Sequence, residues 1–130
     1  MTAPVLYAYV VEDNPNLRES LIATLHELTG VRVMASGHAQ AEASAWLADH
    51  PDDWDLLVID LFLRGGSGLQ LAAQMERRKP DQKVVIFSNY LTASVRKRSA
   101  QLGVDAVFDK ATQTDALVDY CARLCFLREA

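Results

Sequence analysis

Residues 56–60 read Leu56-Leu57-Val58-Ile59-Asp60, four apolar side chains in a row and then a carboxylate. A strand with one wet face alternates apolar and polar residues, whereas an unbroken apolar run suits a strand covered on both faces. The same shape recurs at residues 5–11, which lead into Glu12-Asp13, and at residues 84–88, which end in Ser88. Two shorter candidates, residues 31–35 and 106–109, complete a set of five. Strands buried on both faces belong to parallel sheets, whose crossover helices do the covering.

Helical patterns fill the gaps. Asn14-Pro15 supplies a cap and a proline at the first helical position, and Leu17, Leu21, Leu25 and Leu28 mark one face up to Gly30. A second helix spans about residues 39–49 and stops at His50-Pro51. The third is capped by Ser67, carries Leu69, Leu71, Ala72 and Met75, and is expected to finish in Arg77, Arg78 and Lys79, where cations suit the helix dipole. A fourth covers about residues 92–102 and ends at Gly103. The fifth begins near Thr112 and turns Leu117, Val118, Cys121, Leu124 and Cys125 to one side. Strict alternation of strand and helix predicts an α/β fold, a doubly wound five-stranded parallel sheet flanked by five helices. Right-handed crossovers bring every strand's C-terminal end to one edge, where open sheets of this kind bind their ligands.

Composition narrows the function. The chain has 130 residues, half of them hydrophobic, which suits one globular domain and excludes a disordered chain. With 13 basic against 17 acidic residues the formal charge is −4, so the domain as a whole attracts neither nucleic acid nor an anionic membrane. No apolar run is long enough to span a bilayer, and Met1-Thr2-Ala3-Pro4 offers no basic start to a secretory leader. Cys121 and Cys125, four apart, read as small core hydrophobes of a reducing, cytoplasmic setting. His26, His38 and His50 lack metal-ligand spacing, and Trp46 and Trp54 read as packing.

Five polar residues fall at the predicted strand ends: Glu12 and Asp13 after the first, Asp60 after the third, Ser88 at the fourth and Lys110 after the fifth. Taken singly, each has an ordinary explanation. Asp13 begins an Asp-Asn-Pro turn, Asp60 caps a loop, and Ser88 and Lys110 pass as surface residues. Their convergence on one edge is what counts. Three neighbouring carboxylates repel one another unless a cation neutralises them, and hard oxygen ligands suit Mg²⁺ (or Mn²⁺). A carboxylate there is able to act as a nucleophile toward a phosphoryl group, with the ion and the lysine offsetting the charge on the transferring oxygens.

Val10-Val11-Glu12-Asp13-Asn14, Leu57-Val58-Ile59-Asp60-Leu61, Ile86-Phe87-Ser88-Asn89 and Phe108-Asp109-Lys110 resemble, in order and spacing, the motif blocks of the response-regulator receiver domain. The resemblance extends over essentially the whole chain. It implies the flavodoxin-like strand order 2-1-3-4-5 and a place in two-component signal transduction. On this likeness Asp60 is the residue that accepts a phosphoryl group from the phosphohistidine of a sensor histidine kinase or a histidine phosphotransfer protein. Asp13 and Asp60 are the side-chain ligands of Mg²⁺, Phe62 adds its backbone carbonyl, and Glu12 reaches the ion through water. Ser88 and Lys110 bind the phosphoryl oxygens. Phosphorylation then shifts the face made by the fourth helix, fifth strand and fifth helix toward protein partners.

Three departures from the family pattern bear on that reading. Val107 stands where many receivers carry the aromatic residue that rotates inward on activation, and alternation sends Phe108 to the other face. The loop after Asp60 reads Phe62-Leu63-Arg64-Gly65-Gly66-Ser67-Gly68, a flexible turn lacking the common Met-Pro-Gly run. Ala111 replaces a frequent proline, which removes a fixed peptide without removing a ligand.

The expectation is one receiver domain over residues 1–130 with no output domain in this chain, a phosphoacceptor and not an enzyme, monomeric or weakly dimeric, without nucleic acid or membrane contact of its own. Two other readings stand beside it: the N-terminal receiver of a DNA-binding regulator, and a receiver-like scaffold that works without phosphate. A phosphohydrolase on a related sheet needs an aspartate two residues past its nucleophile, where this chain has Phe62. Phe62 and Tyr90 flank the acceptor and Ser88, positioned to obstruct an attacking water. Arg96-Lys97-Arg98 reads as a solvated helix face, and Phe126 as exposed opposite the Leu117/Cys121 stripe.

Overall fold

The computed structural model describes residues 5–129, so the Met1-Thr2-Ala3-Pro4 stretch lies outside the described residues. Among the described residues, seven strands and five helices follow one another: β1 Leu6–Val11, α1 Pro15–Leu28, β2 Val31–Gly37, α2 Gln40–Asp49, β3 Leu56–Ile59, β4 Phe62–Leu63, β5 Gly66–Ser67, α3 Gly68–Gln74, β6 Lys83–Ser88, α4 Ala93–Gln101, β7 Ala106–Asp109 and α5 Thr114–Glu129. Five strands form one parallel sheet in the order β2-β1-β3-β6-β7. Counted along the chain, that is the 2-1-3-4-5 order the motif blocks imply. The other two, β4 and β5, make a two-stranded antiparallel hairpin in the loop after Asp60.

The unbroken apolar runs are explained by two cores, one on each face of the sheet. Leu6, Ala8 and Val10 of β1, Leu56 and Val58 of β3, and Val85 and Phe87 of β6 face α1 and α5, where Leu25, Leu117 and Cys121 meet them. The alternate residues, Tyr9 and Val11, Leu57 and Ile59, Val84 and Ile86, face Ala43 and Leu47 of α2 and Leu71 and Ala72 of α3. Truncating one of these fully buried leucines to alanine costs about 2–5 kcal/mol. Cys121 and Cys125 are core residues, as read, and burial pushes the Cys121 thiol up to about 12, so it stays protonated. Trp54 is buried, and Trp46 stacks on Tyr9 with 4.3 Å between ring centroids.

The structure corrects several boundaries. The α1 stripe narrows to Leu21 and Leu25, while Leu17 and Leu28, in the first and last turns, are exposed. Val5 is exposed ahead of β1, and α5 starts at Thr114. Helix α3 ends at Gln74 and does not reach Lys79. There Arg78 turns back, its guanidinium donating to the carbonyls of Met75 (2.9 Å) and Gly103 (2.7 Å) and to Asp105 (2.7 Å). A charged side chain that gains this many acceptors outside the helix outweighs one more helical turn. The loop after Asp60 is likewise no open turn. Gly65, at φ +68°, reverses the chain between β4 and β5 at a backbone angle side chains disfavour.

Candidate functional site

Three of the polar residues singled out stand one step past a strand, and each is still held by the ladder. The Glu12 N–H donates to Gly37 O (3.0 Å), the Asp60 N–H to Val11 O (3.0 Å), and the Lys110 N–H to Ser88 O (3.1 Å). Strand pairing therefore sets the backbone positions from which these side chains reach one another. Asn14 caps α1 immediately beyond, its Oδ1 accepting from the N–H groups of Asn16 (2.9 Å) and Leu17 (3.1 Å).

Carboxylate oxygens of Glu12, Asp13 and Asp60 all lie within 4.8 Å of one another. The Lys110 ammonium donates to Asp60 Oδ2 at 3.0 Å and, closer still, to Glu12 Oε1. Glu12 is buried; its second oxygen accepts from the Asn14 N–H (3.2 Å), and its carbonyl accepts from Arg18 Nη1 (2.8 Å). Burial raises the Glu12 carboxyl above the usual range, Lys110 draws it back down, and the Asp60 charge adds to the rise. For Lys110, burial works to lower the ammonium's pKa, but the hydrogen bonds to Glu12 and Asp60 prevail and raise it. No hydrogen bond or ion pair engages the Asp13 carboxylate among the described residues. Three carboxylates against one ammonium leave a formal excess of two negative charges in a small cleft.

Ser88 completes the group from the end of β6. It is fully buried, and among the described residues its hydroxyl has no hydrogen-bond partner. A buried hydroxyl without a partner costs about 1–3 kcal/mol, so such an atom marks a place kept for something else. Ser88, Asp13, Asp60, Lys110 and Phe62 line one cleft. Leu17, Asn89 and Tyr90 border it too, and Phe62 and Tyr90 meet edge to face at 5.2 Å across its mouth. Gly68 lets α3 begin directly against the loop at Asp60: a Cβ there would overlap the Asp60 backbone and meet Ile59 Cγ2 at 2.9 Å.

Phe62 sits in the hairpin, opposite Ser67. The Gly68 N–H donates to Leu61 O (2.9 Å), a single bond that places Leu61 and Gly68 in the register of a bonded pair. Pairs of an antiparallel ladder alternate, so the next pair, Phe62 with Ser67, exchanges no bonds and its carbonyl stays outside the hairpin's own bonding. Val107 is not part of the cleft. It packs in the core on the α2/α3 side, while Phe108 takes the opposite face and meets Tyr120 edge to face at 5.7 Å, as alternation requires. The loop after Lys110 has no cis peptide and is pinned by Asp109, whose Oδ1 accepts from the Ala111 N–H at 2.7 Å.

Hard, anionic oxygens grouped this closely, one of them unpartnered and the set short of positive charge, fit a divalent cation such as Mg²⁺. A family model, that of the response regulator receiver domain, matches residues 8–122. The chain belongs to that family. Receiver domains accept phosphoryl groups from histidine kinases, are signalling domains, and typically bind Mg²⁺ at an acidic cluster.

Two curated relatives, both 25% identical over 119 residues and 92% of this chain, are the C4-dicarboxylate transport transcriptional regulatory protein DctD of Pseudomonas aeruginosa and the response regulator protein VraR of Staphylococcus aureus. The match takes in 25% of DctD and 54% of VraR, so this receiver spans about half the length, or less, of these relatives. Among solved structures, the non-phosphorylated HemR receiver domain from Leptospira biflexa superposes with a TM-score of 0.79 at 25% identity, over 92% of this chain and 94% of that one. A CheY-like receiver protein from Methanospirillum hungatei has the same fold, with a TM-score of 0.78 at 18% identity over 97% and 98% of the two chains. No helix among the described residues is long and apolar enough to cross a membrane.

Sequence reading missed the supports of the site. Gln40 carries no local signal, because its partner Ser67 lies 27 residues away, and Arg18 reaches back only six residues to the Glu12 carbonyl but stands in no motif. Gly68 was visible as part of a Gly-Ser-Gly run, but its closeness to Asp60 was not.

Proposed function

We propose that this chain is a Mg²⁺-dependent phosphoacceptor that signals through contact with other proteins. The observation that carries the reading is the Asp60 carboxylate held at 3.0 Å by Lys110, beside two further carboxylates and the unpartnered Ser88 hydroxyl. One Asp60 oxygen forms a bond to phosphorus while the P–N bond of a phosphohistidine breaks, and the donor imidazole leaves with that electron pair. Asp13, Asp60 and the Phe62 carbonyl would hold Mg²⁺, with Glu12 acting through water. The bound ion supplies positive charge to the transferring oxygens. Lys110 neutralises a second oxygen, and Ser88 donates its hydroxyl to a third, satisfying an atom that has no partner before transfer.

The donor is a sensor histidine kinase or a histidine phosphotransfer protein. Beyond self-catalysed transfer and slow hydrolysis of its own acyl phosphate, the domain has no enzymatic role. It works in the cytoplasm as a monomer or weak dimer, with Ser88 and the Val107 position carrying the shift to the face of α4, β7 and α5. The short match to DctD and VraR supports a second reading, that the same chemistry serves as the receiver of a longer DNA-binding regulator.

Intact mass after incubation with acetyl phosphate and Mg²⁺ tests the reading. One phosphate is expected on the wild type, none with EDTA, and none on Asp60→Asn. A wild type that stays unmodified would point to a phosphate-independent scaffold. The Phe62–Tyr90 pair shields the acyl phosphate from water, so Tyr90→Ala is expected to hasten loss of the adduct several-fold. Unchanged decay would remove that role.

A further inference from the structure

We infer that Gln40, the first residue of α2, is a positioning residue for the phosphoacceptor loop: its side-chain carbonyl fixes the β4–β5 hairpin and thereby the Phe62 carbonyl. The inference rests on the phosphoacceptor reading, and it identifies a residue no part of that reading uses.

Two strands of two residues each cannot hold their own geometry; even full hairpins are marginal in water. The hairpin needs an outside support, and the start of α2 with the residue before it supplies it at three points. Gln40 Oε1 accepts from the Ser67 N–H at 2.8 Å. Ala39 and Arg64 form an isolated backbone bridge. Gly66 lies so close to Gln40 that a Cβ there would come to 2.6 Å from Gln40 Cβ and 2.9 Å from Cδ. The Ser67 N–H is free to reach Gln40 for the same reason the Phe62 carbonyl is free to face a ligand. Both belong to the pair whose polar groups point away from the hairpin.

The support is itself held firmly. Ala39 offers α2 no side-chain cap, and Glu42 takes over by accepting from the His38 N–H at 2.8 Å, with His38 Nδ1 at 3.2 Å. Further along α2, Trp46 is sandwiched between Tyr9 (4.3 Å) and His50 (4.2 Å). Gln40 thus projects from the start of a helix anchored on the sheet, while the hairpin it grips is small and carries the Phe62 carbonyl at the cleft. Outer groups that orient metal ligands typically change affinity by 10–100-fold when removed.

The test uses the whole chain with Gln40→Met, which keeps the length and loses the acceptor, Gln40→Glu, which keeps an acceptor oxygen, and Gly66→Ala, which pushes on the contact from the other side. Hydrogen exchange of the Ser67 amide, followed by NMR without Mg²⁺, reads the support directly. Adduct formation with acetyl phosphate across a Mg²⁺ series reads its consequence. In Gln40→Met and Gly66→Ala, Ser67 is expected to lose protection and the Mg²⁺ midpoint to rise about tenfold, with the same rate at saturating Mg²⁺. Gln40→Glu is expected to restore Ser67 protection. Ser67 protection and a Mg²⁺ midpoint that are both unchanged in Gln40→Met would overturn the role of Gln40. Failure of the wild type to form any adduct would instead overturn the phosphoacceptor reading beneath it.

Discussion

At the C-terminal edge of the sheet, Lys110 lies among three carboxylates; at the N-terminal edge, Arg78 lies among backbone carbonyls and a single Asp105. Burial does not separate the two, since the Lys110 and Arg78 side chains are 13% and 11% exposed. Completeness of bonding does. Arg78 donates through Nε to Gln82 O (2.8 Å) and through its other nitrogens to Met75, Gly103 and Asp105, and Asp105 also accepts from the Val84 N–H (2.8 Å). Beside it the buried Gln82 amide is satisfied on both sides, by the carbonyls of Pro51 and Trp54 and by the Lys79 N–H. At the other edge the Asp13 carboxylate and the Ser88 hydroxyl have no partner among the described residues and negative charge is in excess. A closed cluster stabilises the fold; an open one is ready for a ligand.

That contrast breaks if the two edges respond alike to substitution. Arg78→Ala leaves the carbonyls of Gln82 and Gly103 without their donor and Asp105 with the Val84 N–H alone, and is expected to lower the unfolding free energy by about 3 kcal/mol in urea titration, with acetyl phosphate labelling of the folded protein unchanged. A loss of labelling at full folding would mean the N-terminal edge also serves the chemistry. Mg²⁺ should act only at the open edge. At about a hundred times its dissociation constant it adds about 2.7 kcal/mol of stability by mass action, a gain that Arg78→Ala retains and Asp13→Asn loses or sharply reduces. Smaller still is the difference between two buried polar side chains. Gln82→Ala is expected to cost about 2 kcal/mol, because two carbonyls lose their donor, whereas Ser88→Ala removes a hydroxyl that bonds nothing and stays within about 1 kcal/mol of wild type. The same Ser88→Ala protein should label with phosphate more slowly, and a large loss of stability in it would show that the hydroxyl is not spare.

The open edge was legible in the sequence because apolar runs end abruptly at Glu12, Asp60 and Ser88, and a strand's end is a local event. The closed edge was not. Arg77, Arg78 and Lys79 read as the last turn of a helix, and the partners that hold Arg78 instead, Gly103 and Asp105, lie 25 and 27 residues further along. The hairpin around Gly65 escaped notice for a related reason. Strands of two residues are too short to show any period, and their support, Gln40, lies 27 residues before Ser67. Leu17 had the spacing of a core residue, yet its place in the first turn of α1 puts it beside the cleft. Local patterning thus located the clustered polar groups, and tertiary contacts decided how they are held.

The backbone bonds from Glu12, Asp60 and Lys110 to the neighbouring strands make the site a reporter of strand register. A slip of one residue in β1, β3 or β7 would turn the side chains of that strand to the wrong face and pull one of these residues out of the cluster. Chains folded with an incorrect register would then be chemically silent. The fraction of a preparation that takes up one phosphate from acetyl phosphate would count the molecules whose sheet is correctly assembled, during refolding or after storage, where a helical circular dichroism signal would pass both kinds.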